Sequence, residues 1–286
     1  MKNTTNIELP SFKKERLTNF DDVYGLNGFK LPEKSNSLFK YMPLDYLLSD
    51  QCEGTITFVS PTTWGDAFEQ RYYKIAYHNI GYKEPEIYCL CLTSKQIANE
   101  DAMWRIYAKP CHTMVKARID LPKLLELLQN VAKKTSAFDV YIGNALYYSK
   151  TEIKRINQNN KDFFPDQFDI EHYLTLMTLK RGSFSYENEV RIFIVKKENR
   201  LFQKPSFIQY EDKKTLSICI GEPQTLPHIS NVLLSPYKPT VTPFPAALTK
   251  IQKETIAEEV RRALNGMDVP KSHFTEGAKC IIRKSK

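Results

Sequence analysis

Two glutamates and an arginine occupy alternate positions in the stretch Phe184 to Val195, FSYENEVRIFIV. Alternate residues of a strand point to the same face, so Glu187, Glu189 and Arg191 are predicted to share one face, opposite Tyr186 and the apolar residues. This spacing puts the two carboxylates roughly 6.5 to 7 Å apart along the strand, close enough to act on one bound substrate. A solvated ladder of ion pairs is the alternative interpretation, and the stretch alone leaves both open.

The elements that would position these side chains are predicted from hydrophobic periodicity and from stop signals such as Gly54 and Pro110. Strands and helices do not alternate regularly, so a doubly wound parallel sheet is disfavoured. We predict a polar N-terminal arm over residues 1–36 and a single α+β domain over residues 37–286, with a mixed, twisted sheet flanked by helices. Strand patterns cover 37–43, 55–60, 87–93, 113–119, 139–142, 190–195, 216–220 and 232–234, and helical patterns cover 44–54, 98–110, 123–133, 150–157, 170–180 and 247–264.

The composition is that of a folded protein with an anionic partner. The hydrophobic content of 42% and the charged content of 26% argue against wholesale disorder. The net charge of +8 predicts affinity for nucleic acid, nucleotide phosphates or an acidic protein. Since no apolar run is long enough to span a bilayer and residues 1–17 contain no signal-peptide stretch, we expect a cytoplasmic protein that does not bind membranes.

Several common cofactor and catalytic patterns are absent from the sequence. With only 10 glycines, the chain contains neither a GxGxxG fingerprint nor a Walker A loop. The six cysteines form no CxxC pair, and the spacing of Cys89, Cys91, Cys111 and His112 does not match the usual zinc frameworks. We therefore predict reduced cysteines and no metal site. The five histidines form no recognisable catalytic triad, which disfavours a hydrolase of that kind.

Four motifs, taken in order, resemble a bacterial family known only as a domain of unknown function. The family patterns lyKYrs, fssPssFNDPFE, lMWshYa and yExEwRl correspond here to LFKYMPLDYLL, TFVSPTTWGDAFE, DAMWRIYA and SYENEVRI. The chain departs from these patterns at four positions, where the family has Arg, Asn, Pro and Trp: Met42, Gly65, Ala67 and Val190. The resemblance runs from Leu38 to about Ile194, and each motif alone is weak while the ordered set is fairly specific.

The order of these motifs is also similar to that of the ADP-ribosyltransferases. In those enzymes an early strand ends in a polar or basic residue, a second strand carries Ser-x-Thr, and a later strand opens with Glu-x-Glu. The resemblance implies an ADP-ribosyltransferase-like fold in which NAD, as the substrate, occupies a cleft of a split, mixed sheet without a glycine-rich loop.

The resemblance also implies roles for individual residues. Loss of nicotinamide from NAD builds positive charge on the ribose, and Glu189 is the candidate carboxylate that stabilises it. Glu187 would orient or deprotonate the attacking nucleophile, and Arg191 would keep a carboxylate ionised or contact a phosphate. The remaining candidates for binding NAD are Lys40 and Tyr41 at the diphosphate or ribose, Ser60 and Thr62 beside Glu189 or the ribose, and the aromatic rings of Trp64, Phe68, Trp104 and Tyr107.

The implied function is an NAD-dependent ADP-ribosyltransferase-like enzyme, a toxin or phage-defence effector with a nucleic-acid or protein acceptor and an antitoxin or other regulatory protein as candidate partner. The alternatives are a noncatalytic module that binds nucleic acid or a partner through its basic arm and tail, and a metal-dependent nuclease using Asp66, Glu69, Glu187 and Glu189. Structural interpretations remain open for single residues: core packing for Trp104 and Tyr107, turn formation for Ser60 and Thr62, and a helix start for Asp66 and Glu69.

Overall fold

The computed structural model describes residues 10, 12–31, 38–79, 86–94, 100–107, 112–158, 169–197, 208–211 and 214–237. The predicted helix 247–264, the basic tail and Cys111 lie outside these residues. No helix in the described ranges has the length and apolar character needed to cross a membrane.

Within the described residues the chain forms eleven strands in one mixed sheet and two in a small parallel pair. The strands are β1 Lys14–Arg16, β2 Val23–Leu26, β3 Leu38–Pro43, β4 Thr55–Val59, β5 Ile87–Thr93, β6 Met114–Ile119, β7 Phe138–Asn144, β8 Leu146–Tyr148, β9 Leu179–Arg181, β10 Glu189–Lys196, β11 Ile208–Glu211, β12 Thr215–Cys219 and β13 Ile229–Leu234. The α-helices are α1 Leu44–Glu53, α2 Ala67–Asn79, α3 Glu100–Tyr107, α4 Leu121–Thr135, α5 Lys150–Gln158 and α6 Ile170–Leu176, and short 3₁₀ helices cover Pro61–Thr63 and Gly182–Glu187.

The large sheet divides in two beside β5. Its main path runs β1-β2-β7-β10-β5-β3-β6-β13, and β2 and β7 are its parallel neighbours. One side of β5 pairs with β10 along its whole length. On the other side, β3 pairs with the Thr93 end of β5 and β4 pairs with the Cys89 end, and β4 continues to β12 and β11. The prediction of a mixed α+β fold with a large twisted sheet flanked by helices is confirmed.

The two faces of the sheet bury different groups of side chains. On one face, apolar residues of β10, β7 and β5 pack against α4, whose Leu124, Leu125 and Leu128 are fully buried. The Asp120 side chain begins α4 by accepting a hydrogen bond from the Lys123 backbone N–H at 3.1 Å. The other face of β10 packs against α6 and α2, and the register with β5 places Glu189 and Arg191 on this second face.

Two segments within the predicted arm, 14–16 and 23–26, form strands of the sheet, so the prediction of a polar arm is wrong for these residues. Strand β2 pairs with β7, and both Val23 and Leu26 on it are fully buried. Strand β1 then pairs antiparallel with β2 at the edge. Both strands are too short for hydrophobic alternation to be visible in the sequence, and they form because β7 offers hydrogen-bonding groups.

The helix predicted over 170–180 ends early. Helix α6 stops at Leu176, and after a turn the chain enters β9, which pairs in parallel with β8. The sequence LTLMTLK gives no stop signal, because its leucines and Met177 are buried in both the helical and the extended part. This change of direction decides where Lys180 lies.

Candidate active site

The two glutamates of the Glu-x-Glu pair lie in different elements. Glu187 ends a 3₁₀ helix, Asn188 adopts the left-handed conformation with φ of 43°, and β10 begins only at Glu189. The prediction that Glu187 and Tyr186 alternate on the same strand is therefore wrong. Asparagine tolerates the left-handed region better than most residues, which allows a sharp turn between the two glutamates.

The turn nevertheless brings both carboxylates to the same place, because Lys180 bridges them. The Lys180 ammonium donates to Oε2 of Glu187 at 2.6 Å and to Oε2 of Glu189 at 2.7 Å. Lys180 reaches this point from β9, next to Tyr147 on β8 in the parallel register. Lys180 and the two glutamates therefore come from three separate elements: β9, the 3₁₀ helix and β10.

Arg191 binds the same cluster from the next position on its face of β10. Its guanidinium donates to Glu189 from Nε at 3.1 Å and from Nη2 at 3.0 Å, and it also donates to Glu69 of α2 and to the carbonyl of Met177. The ring of Trp64 covers the guanidinium at 4.3 Å from its centroid. Arg191 is therefore held on all sides.

The charged residues are buried, which contradicts the interpretation as a solvated ladder. Glu187 is 3% exposed, Glu189 is 4% exposed and Arg191 is 1% exposed. Buried charges are stable only when they are paired and hydrogen-bonded, and here each carboxylate contacts at least one cation. The cluster is an ion-pair network inside the protein.

The network moves the pKa values of the two glutamates in opposite directions. Burial opposes ionisation of Glu189, but the adjacent Arg191 and Lys180 outweigh it and lower the pKa of this carboxyl to about 2. Burial raises the pKa of Glu187 above its ordinary value, Lys180 opposes this shift and the charge of Glu189 adds to it. Two carboxyl groups whose pKa values are separated by their surroundings suit the roles of fixed anion and proton acceptor.

The cluster carries more negative than positive charge. Three carboxylates, Glu69, Glu187 and Glu189, share two cations, Lys180 and Arg191, among the residues that the structure describes here. One excess negative charge in a poorly solvated place favours either a bound proton or a positively charged group of a ligand.

Hydroxyl groups complete the surroundings of the pair. The Tyr107 hydroxyl donates to Oε2 of Glu187 at 3.0 Å, and the Tyr147 hydroxyl accepts the backbone N–H of Glu189 at 2.8 Å. The Thr93 hydroxyl donates to the backbone carbonyl of Glu187. Burial and the neighbouring carboxylates raise the pKa of Tyr107, so this hydroxyl keeps its proton at neutral pH.

Some of the predicted NAD-binding aromatic residues lie on the site's face of the sheet. Tyr41 meets Trp104 edge to face with 4.9 Å between ring centroids, and it stacks on Tyr107 at 5.8 Å. Trp104 is almost fully buried, which agrees with core packing, whereas Tyr107 connects this aromatic group to Glu187. Trp64 covers Arg191, and Phe68 packs with Trp64 against the apolar residues around α6.

Three other predicted residues do not reach Glu189. The register across β10, β5 and β3 aligns Glu189 with Thr93 and Phe39, so Lys40 points to the opposite face, where its ammonium donates to the Thr57 carbonyl at 3.5 Å. The remaining two, Ser60 and Thr62, bond each other: Oγ of Ser60 lies 2.9 Å from Oγ1 of Thr62 and accepts the Thr62 backbone N–H. These hydrogen bonds are those of a turn, as the structural interpretation of Ser60 and Thr62 predicts, and none of them involves Glu189. A contact of these hydroxyls with the ribose stays a prediction.

The candidate metal ligands are engaged in other contacts. Asp66 accepts the Phe68 backbone N–H at 2.7 Å at the start of α2 and pairs with Arg181 at 2.7 Å, as the helix-start interpretation predicts. In the described part of the chain, no group of three or more His, Cys, Asp or Glu side chains could hold a metal ion. Cys89 and Cys91 lie side by side on one face of β5 with 3.8 Å between their sulfur atoms, and His112 contacts Asp45 at 3.2 Å.

Sequence reasoning missed Lys180, Tyr147 and Thr93, and it gave Glu69 only a helix-start or metal role. Lys180 ends an apolar segment whose pattern predicts a helix, and the neighbouring residues in the sequence do not indicate that it contacts Glu187. Glu69 could have been noticed because it belongs to the DAFE segment of the second motif. Its contact with Arg191, however, joins residues 122 positions apart.

The comparisons with known proteins returned nothing: no protein-family model, no curated protein and no solved structure matches this chain.

Proposed function

We propose that this protein is an NAD-dependent ADP-ribosyltransferase-like enzyme whose reaction takes place at Glu187 and Glu189. The observation that carries the proposal is the buried pair of carboxylates held on the Lys180 ammonium, with one pKa lowered and the other raised. The roles given to the two glutamates by the motif order match these directions, since one must be an anion and the other must take up a proton.

The chemistry follows from the charges. The bond between the ribose anomeric carbon and the nicotinamide nitrogen breaks, and its electron pair leaves with nicotinamide, so positive charge builds on the ribose. Glu189, ionised at neutral pH, stabilises that charge more in the transition state than in the ground state. The excess negative charge of the cluster also suits the cationic pyridinium ring of NAD.

Glu187 serves the second half of the reaction. An acceptor oxygen or nitrogen forms the new bond to the anomeric carbon and loses a proton. The raised pKa of Glu187 brings its carboxylate closer to the pKa that suits a general base near neutral pH. Tyr107, which donates to this carboxylate at 3.0 Å, keeps it oriented.

The division of the sheet beside β5 supports an NAD cleft in a split sheet, and the glutamate pair lies on β10, the strand next to β5. The net charge of +8 supports a nucleic-acid acceptor and, with it, an effector in phage defence or a toxin controlled by an antitoxin in the cytoplasm. Protein remains the second acceptor class.

A noncatalytic binding module is the second candidate, and the burial of the charged cluster favours it. Glu187 and Glu189 are almost fully buried, and cations already contact them, as in an ion-pair network that only supports the fold. The metal-dependent nuclease has less support, because Lys180 and Arg191 already bind the oxygens that a metal ion would need.

The experiment that tests the proposal measures nicotinamide release from NAD by purified wild-type protein and by Glu189→Gln, with RNA, DNA and bacterial lysate protein offered as acceptors. We expect Glu189→Gln to reduce release by about 10²- to 10³-fold, as for other preorganised groups that stabilise charge in the transition state. Glu126→Gln, on the exposed side of α4, is the matched control and should retain full activity.

Folding has to be checked beside activity, because Glu189→Gln removes a buried anion from Arg191 and Lys180. A melting temperature and a far-UV spectrum establish that the variant is folded. A folded wild-type protein that neither binds NAD nor releases nicotinamide with any acceptor would overturn the enzyme proposal. Salt-dependent nucleic-acid binding that survives in Glu189→Gln would then support the binding module.

A further inference from the structure

We propose that Lys180 is the positioning residue of this site: its ammonium holds the carboxylates of Glu187 and Glu189 together and favours the ionised form of both. The inference rests on the proposed function only for its effect on catalysis. The effect on the two carboxyl groups is a property of the folded protein that is measurable without a substrate.

The geometry of Lys180 supports this role. The side chain is buried, with the whole residue 7% exposed, and its backbone is fixed in β9 by pairing with β8. Of the three N–H donors of the ammonium, one contacts Glu187 at 2.6 Å and one contacts Glu189 at 2.7 Å. The Phe184 ring lies 5.3 Å away and covers part of the group.

Lys180 differs from Arg191 in what it connects. Arg191 contacts Glu189 and Glu69, whereas Lys180 contacts Glu189 and Glu187. Among the described residues, Lys180 is thus the cation that joins the two glutamates proposed for catalysis. In the part of the chain that the structure describes, the hydrogen bonds to the Glu187 carboxylate come from Lys180 and Tyr107.

Other charged and titratable groups face the Lys180 ammonium or the two glutamates that it contacts, and they influence the pKa values that remain when Lys180 is removed. Arg191 repels the ammonium, whereas the carboxylates of Glu189, Glu69 and Glu187 favour its charge. Without Lys180, three carboxylates would share one cation, so the pKa of both glutamates would rise. The groups besides the two glutamates are Glu69 of α2, Tyr107 of α3, Cys91 of β5, Tyr147 of β8, Tyr186 of the 3₁₀ helix and Arg191 of β10.

The catalytic consequence concerns the proton of the acceptor. A Glu187 with a still higher pKa keeps its proton over a wider range of pH, and within that range it accepts no proton from the nucleophile. The acid limb of the pH profile for nicotinamide release should therefore move to higher pH when Lys180 is neutralised. A lysine that only supports the fold would lower the amount of folded enzyme without moving this limb.

The test is a carboxyl-carbon NMR titration of protein labelled with ¹³C at the glutamate side chains, with Glu187→Gln and Glu189→Gln used to assign the signals. In Lys180→Met we expect the pKa of both carboxyl groups to rise by about 1 to 3 units. In Lys180→Arg, which keeps the charge, we expect a shift of less than about one unit. Unchanged pKa values in a folded Lys180→Met would overturn the inference.

A second variant keeps the test decisive if Lys180→Met does not fold. In the double variant Lys180→Met/Glu187→Gln the cluster again has one carboxylate more than it has cations, so we expect this protein to recover thermal stability. The pKa of Glu189 is then measured in the double variant and in the single variant Glu187→Gln, which keeps Lys180. An equal pKa of Glu189 in these two proteins would overturn the inference.

The activity profile separates this inference from the proposed function. If wild-type protein releases no nicotinamide but the titrations shift as expected, the role of Lys180 holds and the enzyme proposal fails. If nicotinamide is released and the acid limb of folded Lys180→Met coincides with that of the wild type, the role of Lys180 fails and the enzyme proposal holds.

Discussion

Replacing Arg191 with leucine should destabilise the protein strongly, because this change removes the cation and leaves its partners in place. The guanidinium is fully buried and contacts Glu189, Glu69, the Met177 carbonyl and the Trp64 ring. Breaking a buried ion pair by removing one partner costs about 3 to 5 kcal/mol of unfolding free energy. For a chain of this size, that loss lowers the melting temperature by roughly 6 to 20 °C.

The matched control is Arg105→Leu, because Arg105 has the same kinds of contact at the surface. Arg105 pairs with Asp101 at 2.7 Å and lies 4.7 Å from the Tyr237 ring centroid, but its side chain is 39% exposed. An exposed pair of this kind contributes at most about 1 kcal/mol after screening by solvent. Thermal unfolding followed by circular dichroism at pH 7 compares the two variants directly.

The penalty in Arg191→Leu should also depend on pH. The pKa of Glu189 in the folded wild type is about 2, below its ordinary value near 4.5, so the ion pair stabilises the fold above that ordinary value and is lost as the pH falls towards 2. The difference between wild type and variant should therefore shrink in acid. Equal melting temperatures for Arg191→Leu and Arg105→Leu at pH 7 would refute the reasoning.

Two further predictions concern stability away from the site. His228 is buried, and burial and the charge of Lys40 lower its pKa to about 3. Because the unfolded chain takes up a proton at this histidine more readily than the folded protein does, the free energy of unfolding of the wild type should fall by about 2 kcal/mol between pH 7 and pH 5. Urea unfolding of His228→Leu should lack this contribution. Gly54→Ala should lower the melting temperature more than Gly28→Ala does. Both glycines have φ near +70°, so both variants are strained, but a Cβ at Gly54 would also lie 2.5 Å from a backbone oxygen, whereas a Cβ at Gly28 would lie in open space. Equal losses for the two glycine variants would contradict the steric argument.

Much of the local structure could be predicted because its signals are local. The alternation in 87–93 gave the bounds of β5, and Gly54, in the left-handed conformation, ends α1 as its position after an amphipathic segment predicts. The helix predicted over 123–133 is present, and the structure extends it to α4 Leu121–Thr135, with Asp120 as its N-cap. These elements depend on side chains within a few positions of one another.

The elements that failed depend on distant partners. Strands β1 and β2 exist because β7 pairs with β2, and β9 exists because β8 pairs with it. None of the strands β1, β2 and β9 has enough residues for a periodicity to be visible. The helix interpretation for 170–180 was therefore reasonable locally and wrong where a tertiary hydrogen-bond partner was available.

The sequence by itself determined that an apolar strand begins within the Glu-x-Glu segment, that the protein is basic, and that its sheet is mixed with helices around it. Only the tertiary structure decided that the pair is buried, that Asn188 turns Glu187 off the strand, and that Lys180 joins both carboxylates while Lys40 lies on the other face. The physical reason is that buried charges are stabilised by whichever opposite charges the folded chain brings next to them. Glu69 and Arg191 are 122 positions apart in the sequence, so the residues near either of them do not indicate the contact.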